Sequence, residues 1–307
     1  MQKGFCVILS KYRLYQGIAL YHSLYHNYRD FKMFILCADD ETYEVCDGLH
    51  LANVILLRAD ALSDERLISV KKIRKLNEYC WTLKPFFVEY VLKEYDFIDH
   101  AVYIDADIFF FNDPSPIFES QNDYCVLLSD HHYLKKKSLI EQRCGKYNSG
   151  FIIFKKSEPS LDVLRWWGEK CIEWCGSSVA SGRFGDQKYL EQLPSLFEGV
   201  FAITTPGVNI APWNEKRYKF YTKNQKVFVN NNKLICYHFS GLRLISKERL
   251  ALLKGNKDTI AYSIYIMELQ HSISQVEQVS PRFNGYFGES PLLDKFKVYH
   301  FSNQLEE

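Results

Sequence analysis

A chain of 307 residues, 47% hydrophobic and 24% charged, is long enough for one large domain, or one domain with an appendage, and should bury roughly three quarters of the surface its unfolded form exposes. That composition excludes disorder as the main state. With 38 Lys and Arg against 37 Asp and Glu, the net charge of +1 gives no electrostatic basis for a nucleic-acid partner, and no apolar run approaches the ~18 residues of a transmembrane span.

Residues 4–10 read as a buried strand, because the apolar run from Phe5 to Leu9 is too short for a secretory h-region. Residues 16–28 read as a helix carrying Ile18, Leu20, Leu24 and Tyr25 toward a core, followed by strands at 33–37 and 54–57. A helix-rich stretch comes next, with Pro85 placed in the first turn of a helix over 85–92, and 101–104 is a fourth strand. Strands alternating with helices imply βαβ units: an α/β, Rossmann-like, mostly parallel central sheet flanked by helices.

Runs at 124–128 and 150–154 extend the strand series across a polar loop holding Lys135-Lys136-Lys137, which reads as solvated. Residues 161–175 form a helix by pattern. Beyond 243, Tyr262, Ile266, Leu269, Ile273 and Val276 recur at helical spacing, so 244–307 is expected as a helical extension with one apolar stripe. Two heptads are too few for an autonomous coiled coil, and the segment 262–280 lacks the Lys and Arg of a membrane-surface helix, so the stripe is expected to pack within the chain.

Nine cysteines, an odd number without framework spacing, fit a reducing, cytoplasmic setting; Cys171 and Cys175 read as core before zinc. Aromatic residues reach 16% of the chain, which suits sugar-ring contacts as well as a large aromatic core.

The strongest chemical signal is Asp105-Ala106-Asp107, which follows a hydrophobic strand and precedes Phe109-Phe110-Phe111. Ligands of open α/β sheets bind at the carboxyl ends of strands, and two carboxylates there can share a divalent cation whose other positions take substrate phosphate. A pair of turn aspartates is the alternative. His238 alone reads as a structural histidine, but the apolar run before it ends a strand, which supports ligation. For Asp186 the alternative to a functional role is a helix N-cap after Gly185, and for Lys84 it is a solvated helix-surface lysine.

The ordered set of Asp105-Ala106-Asp107, Asn112-Asp113-Pro114, Asn148-Ser149-Gly150, Gly185-Asp186-Gln187 and His238-Phe239-Ser240-Gly241 resembles the GT-A fold nucleotide-sugar glycosyltransferases of the family 8 type. Tyr79-Cys80-Trp81-Thr82-Leu83-Lys84-Pro85 and Ala211-Pro212-Trp213-Asn214 resemble an uncharacterised bacterial branch related to them. The resemblance implies a GT-A catalytic domain over 1–243. It implies Mn2+ or Mg2+ on Asp105, Asp107 and His238. It places the UDP-sugar nucleotide and diphosphate at Ser10, Tyr12, Lys84, Ala106, Gly241 and Arg243, and the sugar at Asp130, His131, Asn148, Ser149 and Trp213. Asp186 and Gln187 fall beside the anomeric carbon. Arg243 stands where the family usually carries a lysine, which alters the reach toward the diphosphate.

The implied activity is transfer of a hexose from a UDP-sugar to a saccharide or glycolipid acceptor in bacterial surface glycan synthesis, with retention of anomeric configuration, by a monomer or homodimer. A sugar nucleotidyltransferase is one rival, although Ser10-Lys11-Tyr12-Arg13 lacks the glycine-rich phosphate loop expected of it. A catalytically inactive carbohydrate-binding or scaffold protein is the other, and the intact acidic motif and His238 weigh against it.

Overall fold

A computed structural model describes residues 2–119, 123–134, 138–253, 259–288 and 295–301; the expected Lys135-Lys136-Lys137 loop lies outside them. In chain order the first half runs β1 (Gln2–Leu9), α1 (Leu14–Asn27), β2 (Phe31–Cys37), α2 (Asp40–Gly48), β3 (Val54–Arg58), α3 (Glu65–Lys71), α4 (Leu76–Glu94), β4 (Ile98–Ile104), β5 (Ile108–Phe110), α5 (Ser115–Glu119), β6 (Val126–Asp130), α6 (Ser138–Cys144) and β7 (Tyr147–Lys155). The second half adds α7 (Glu158–Glu173), α8 (Leu193–Leu196), β8 (Val200–Ala202), a three-stranded meander β9 (Phe220–Lys223), β10 (Lys226–Val229), β11 (Asn232–Lys233), and β12 (Cys236–His238). It closes with β13 (Arg243–Leu244), β14 (Arg249–Leu253), α9 (Ile260–Val279) and β15 (Phe296–His300).

Seven strands form the central sheet in the order β3-β2-β1-β4-β7-β6-β8. Pairing is parallel except at β7, which runs antiparallel to both β4 and β6. Period-two alternation sends Phe5, Val7 and Leu9 to one core layer and Cys6 and Ile8 to the other, because helices cover both faces. The chain order reverses between β1 and β4, so their carboxyl ends, carrying Ser10 and Asp105, flank the switch point where such sheets bind ligands.

Three local expectations change. Pro85 lies inside α4 rather than in its first turn. The residues before it are helical because Glu78 accepts from the Lys75 amide at 3.1 Å, and because Tyr79, Thr82 and Leu83 are buried. That burial outweighs an interior proline's cost of roughly 3 kcal/mol. Asn148-Ser149-Gly150 lies within β7, which begins at Tyr147 rather than at residue 150, and Asn148 pairs with Ser129 just past a register shift between Leu128 and Ser129. Asp130 therefore ends β6 rather than following it.

The apolar stripe of α9 is buried, with Tyr262, Ile266, Leu269, Ile273 and Val276 packed toward α1 and α2 within the chain. The expected helical extension is not helical throughout: besides α9 it contributes to a small antiparallel sheet, β13-β14-β15, whose first strand already begins at Arg243. No helix among the described residues is long and apolar enough to cross a membrane. All nine cysteines are free thiols, and Cys171 and Cys175 are buried.

Candidate active site

Asp105 follows β4, Asp107 leads into β5, and β12 pairs antiparallel with β5 so that His238 lies opposite Ile108. This hairpin-like pairing of segments far apart in sequence brings one ligand atom from each of Asp105, Asp107 and His238 within 4.8 Å of the others. His238 Nε2 lies 3.0 Å from Asp107 Oδ1 and 4.0 Å from Asp105 Oδ2. The Phe239 amide donates to the Asp107 carbonyl at 2.7 Å, fixing the two strands locally.

The histidine's orientation can be derived from its neighbours. The Gly150 amide can only donate, so the Asn148 oxygen that accepts it at 3.1 Å is the amide oxygen. His238 Nδ1, 3.3 Å from that oxygen, must therefore donate to it. Nε2 then turns an electron pair toward Asp107, an arrangement of acceptors that is stable only with a proton or a cation between them. Gly150 forms the floor: a Cβ there would stand 2.6 Å from Asp105 Oδ2 and 2.7 Å from His238 Cε1. Two carboxylates and one imidazole held this way fit a divalent cation that accepts mixed oxygen and nitrogen donors.

The network continues outward. The Asn148 amide nitrogen donates to Gln187 Oε1 at 3.2 Å and lies 3.5 Å from His131 Nε2. His131 pairs its Nδ1 with the Lys146 carbonyl at 2.9 Å, and burial pulls its pKa down to about 4, so the ring is a neutral acceptor at Nε2. Gln187 also accepts from the Ser149 amide and donates to the Cys144 carbonyl at 2.7 Å.

Lys84 is the largest departure from expectation. It is 1% exposed, not a solvated helix-surface residue. Its Nζ lies 3.2 Å from Asp105 Oδ1, 3.2 Å from Asp186 Oδ2 and 3.1 Å from Ser149 Oγ. Burial favours the neutral amine, but the charges of Asp105 and Asp186 outweigh it and raise the pKa above the ordinary lysine value. Asp186 is 3% exposed and burial raises its carboxyl pKa against the pull of Lys84. The carboxylate is committed to Lys84 rather than to capping: the short helix after it is led by Gln187, without a side-chain cap. Trp167 Nε1 holds the Asp186 carbonyl at 2.9 Å.

Sequence reasoning passed over two neighbours. Arg13 Nη1 lies 3.4 Å from Asp107 Oδ2. Burial acts to raise the Asp107 pKa, but the charges of His238 and Arg13 hold it well below the usual carboxylate range. Tyr103 donates its hydroxyl to Asp105 Oδ1 at 3.1 Å, and its ring lies under the Lys84 ammonium at 4.7 Å. Nothing in Ser10-Lys11-Tyr12-Arg13 sets Arg13 apart from an ordinary loop cation, and a strand tyrosine such as Tyr103 reads as core.

The remaining expected residues divide. Ser10 is buried at the end of β1, beside a chain in which the Lys11 amide donates to Asp39 Oδ2 at 3.0 Å. Tyr12 stacks on Phe287 at 5.3 Å, and the guanidinium groups of Arg13 and Arg243 both lie 5.5 Å from that Phe287 ring. Burial and the charge of Arg13 both lower the Arg243 pKa. Ala106 is buried between the two aspartates, and Gly241 takes a left-handed φ of 85° in the turn joining β12 to β13. Trp213 meets His131 and His238 edge-on at 5.0 and 5.2 Å, and its Nε1 is buried with no hydrogen-bond partner among the described residues. Asp130 turns to the His132 amide and Lys146 instead of the ligand cluster.

Residues 31–242 match the family described as nucleotide-diphospho-sugar transferase. The chain is 39% identical over 296 residues to the uncharacterized protein YfnF of Bacillus subtilis (strain 168), covering 93% of this chain and 98% of that one. It is 31% identical over 287 residues to YfnD of the same organism, covering 91% and 92%. Galactosyltransferase LgtC, solved in complex with donor and acceptor sugar analogs, superposes with a TM-score of 0.51 at 12% identity, covering 90% of this chain and 96% of that one. The fold they share is GT-A.

Proposed function

The chain belongs to the nucleotide-diphospho-sugar transferase family, and on that premise we propose that it transfers a hexose from a UDP-sugar to a hydroxyl of a saccharide or glycolipid acceptor. The observation that carries this reading is the convergence of Asp105, Asp107 and His238 beside the buried array of Lys84, Asp186 and Gln187 at the sheet's switch point. Mn2+ or Mg2+, bound by those three ligands, would supply Lewis acidity to the departing diphosphate.

Breaking the anomeric bond loads negative charge onto that diphosphate, so fixed cations nearby favour the transition state. Arg13 and Arg243, brought together on the Phe287 ring, are the groups assigned to it, and a bound anion would relieve their mutual repulsion. Lys84 acts as a positioning residue, because it holds Asp105 and Asp186 at fixed separation from inside the protein. Asp186 and the Gln187 amide oxygen offer negative potential to the oxocarbenium-like carbon. On the 209–214 segment, the Trp213 indole N–H and the Asn209 side-chain amide are buried with no partner among the described residues; sugar hydroxyls would satisfy them.

We assign retention of configuration. An inverting reaction needs a carboxylate free to deprotonate the acceptor, whereas Asp105 and Asp186 are committed to Lys84, and Asp107 to Arg13 and His238. Residues 1–243 form the catalytic unit in this reading, with 244–307 walling the acceptor side. The reaction belongs to cytoplasmic assembly of bacterial surface glycans.

The test is UDP release from a panel of UDP-hexoses with Mn2+, Mg2+ or EDTA present, followed by NMR of the product's anomeric proton. Release with one donor, lost in EDTA, is expected. Failure of every UDP-sugar, with turnover of another nucleotide sugar, would reassign the donor; no turnover with any would favour a binding protein.

A further inference from the structure

Outside the active site, a cavity of about 470 Å³ opens between α1 and α9. Two helices direct ligand-type side chains into it: His22 and His26 are spaced i, i+4 on α1, and Glu268 and His271 are spaced i, i+3 on α9, so each pair shares one helix face. His22 Nδ1 lies 2.6 Å from Glu268 Oε1, and the His22 and His271 rings stand 5.2 Å apart. One ligand atom from each of His22, Glu268 and His271 falls within 4.8 Å of the other two.

We propose that His22, Glu268 and His271 form a second metal site, selective for Zn2+-class ions, which clamps α9 to α1. Two imidazoles and one carboxylate are a donor set for Zn2+ and its late first-row neighbours, not for Mg2+ or Ca2+, which require oxygen shells. Three such donors leave room for water to complete a tetrahedral shell.

A simple histidine–glutamate pair explains only part of this geometry. It accounts for His22 and Glu268, but His271 converges on the same point, and among the described residues no group hydrogen-bonds its ring nitrogens. The site is open enough to load: the His22 and Glu268 side chains are 18% and 26% exposed, and His271 is exposed. Its position gives the clamp a purpose. It joins residues 246 apart in sequence, tying the C-terminal helix to the helix that begins next to Arg13, so ion binding would hold the extension against the catalytic unit.

The experiment uses the full chain without a histidine tag. In an Asp105→Asn, Asp107→Asn background, which silences the first site, the protein is loaded with ZnCl2, exchanged into metal-free buffer and assayed by elemental analysis and thermal unfolding. One retained equivalent of zinc is expected, with an upward shift of Tm that MgCl2 does not produce. Adding His271→Ala, an exposed position where folding should survive, should remove both the equivalent and the shift. Glu268→Gln should weaken retention without altering the circular dichroism spectrum. No retained zinc in the background protein would overturn the proposal, and so would retention that neither His271→Ala nor His22→Ala reduces. None of these readouts depends on glycosyl transfer, so a failed donor assignment and a failed zinc site are distinguishable.

Discussion

Replacing Lys84 with Met tests the buried array most directly, since Met keeps much of the lysine volume and deletes the ammonium, with its charge and its hydrogen bond to Ser149. At an effective dielectric of about 20, each 3.2 Å contact of Nζ with Asp105 and Asp186 is worth about 5 kcal/mol of gross attraction. Desolvation of a buried ammonium offsets several kcal/mol of that. Truncating one partner of a buried pair leaves the other charge uncompensated, so a net loss of about 3–5 kcal/mol is expected at pH 7. Asp105 is part-exposed and can recruit water, whereas the side chain of Asp186 is 4% exposed and cannot.

The pH dependence fixes the sign. Burial already raises the Asp186 pKa, and Lys84 opposes it. In Lys84→Met that opposition disappears and the folded-state pKa rises further above the unfolded value near 3.9. The folded protein then binds a proton more tightly than the unfolded chain, so the variant's deficit is full above the folded pKa. It shrinks as pH falls from there toward the unfolded value. Urea denaturation across this range measures it, and Lys84→Met combined with Asp186→Asn should recover part of the loss. A deficit below about 1 kcal/mol at pH 7, or one that is flat with pH, would refute the reasoning.

Asp105→Asn, Asp107→Asn and His238→Ala should each lower metal-stimulated UDP release by about 100-fold or more while preserving the circular dichroism spectrum; full activity in any one removes that residue from the ligand set. Gly150→Ala places a methyl group against both Asp105 and His238, so metal affinity should fall about 10–100-fold, with a stability loss of about 1–3 kcal/mol, read by Mn2+ titration and urea denaturation. The double substitution Ile266→Asp, Leu269→Asp puts two charges at positions 2% and 0% exposed and should destabilise the monomer by more than about 4 kcal/mol. If light scattering instead shows a folded protein that has only changed from dimer to monomer, the buried stripe of α9 is a subunit contact.

What the amino-acid order determined by itself was local and periodic. Alternating strands and helices announced a parallel α/β sheet, Asp105-Ala106-Asp107 lay where such a sheet binds ligands, and the α9 stripe declared a buried face; each is a pattern written within a few turns of chain. Pro85 shows where local rules yield, because burial of Tyr79, Thr82 and Leu83 carries α4 through a residue that would otherwise end it. Only the tertiary structure decided which polar groups meet. Lys84 reaches Ser149, 65 residues away, and Asp186 beyond it, so a lysine that sequence reads as solvated becomes the buried cation between two aspartates. Likewise the pairing of β5 with β12 turns His238 onto Asp107, and the packing of α9 on α1 gathers His22, Glu268 and His271. The periodicity of one segment carries no record of its partner's register or depth, and at these sites it is that register and depth that set the charge state and the chemistry.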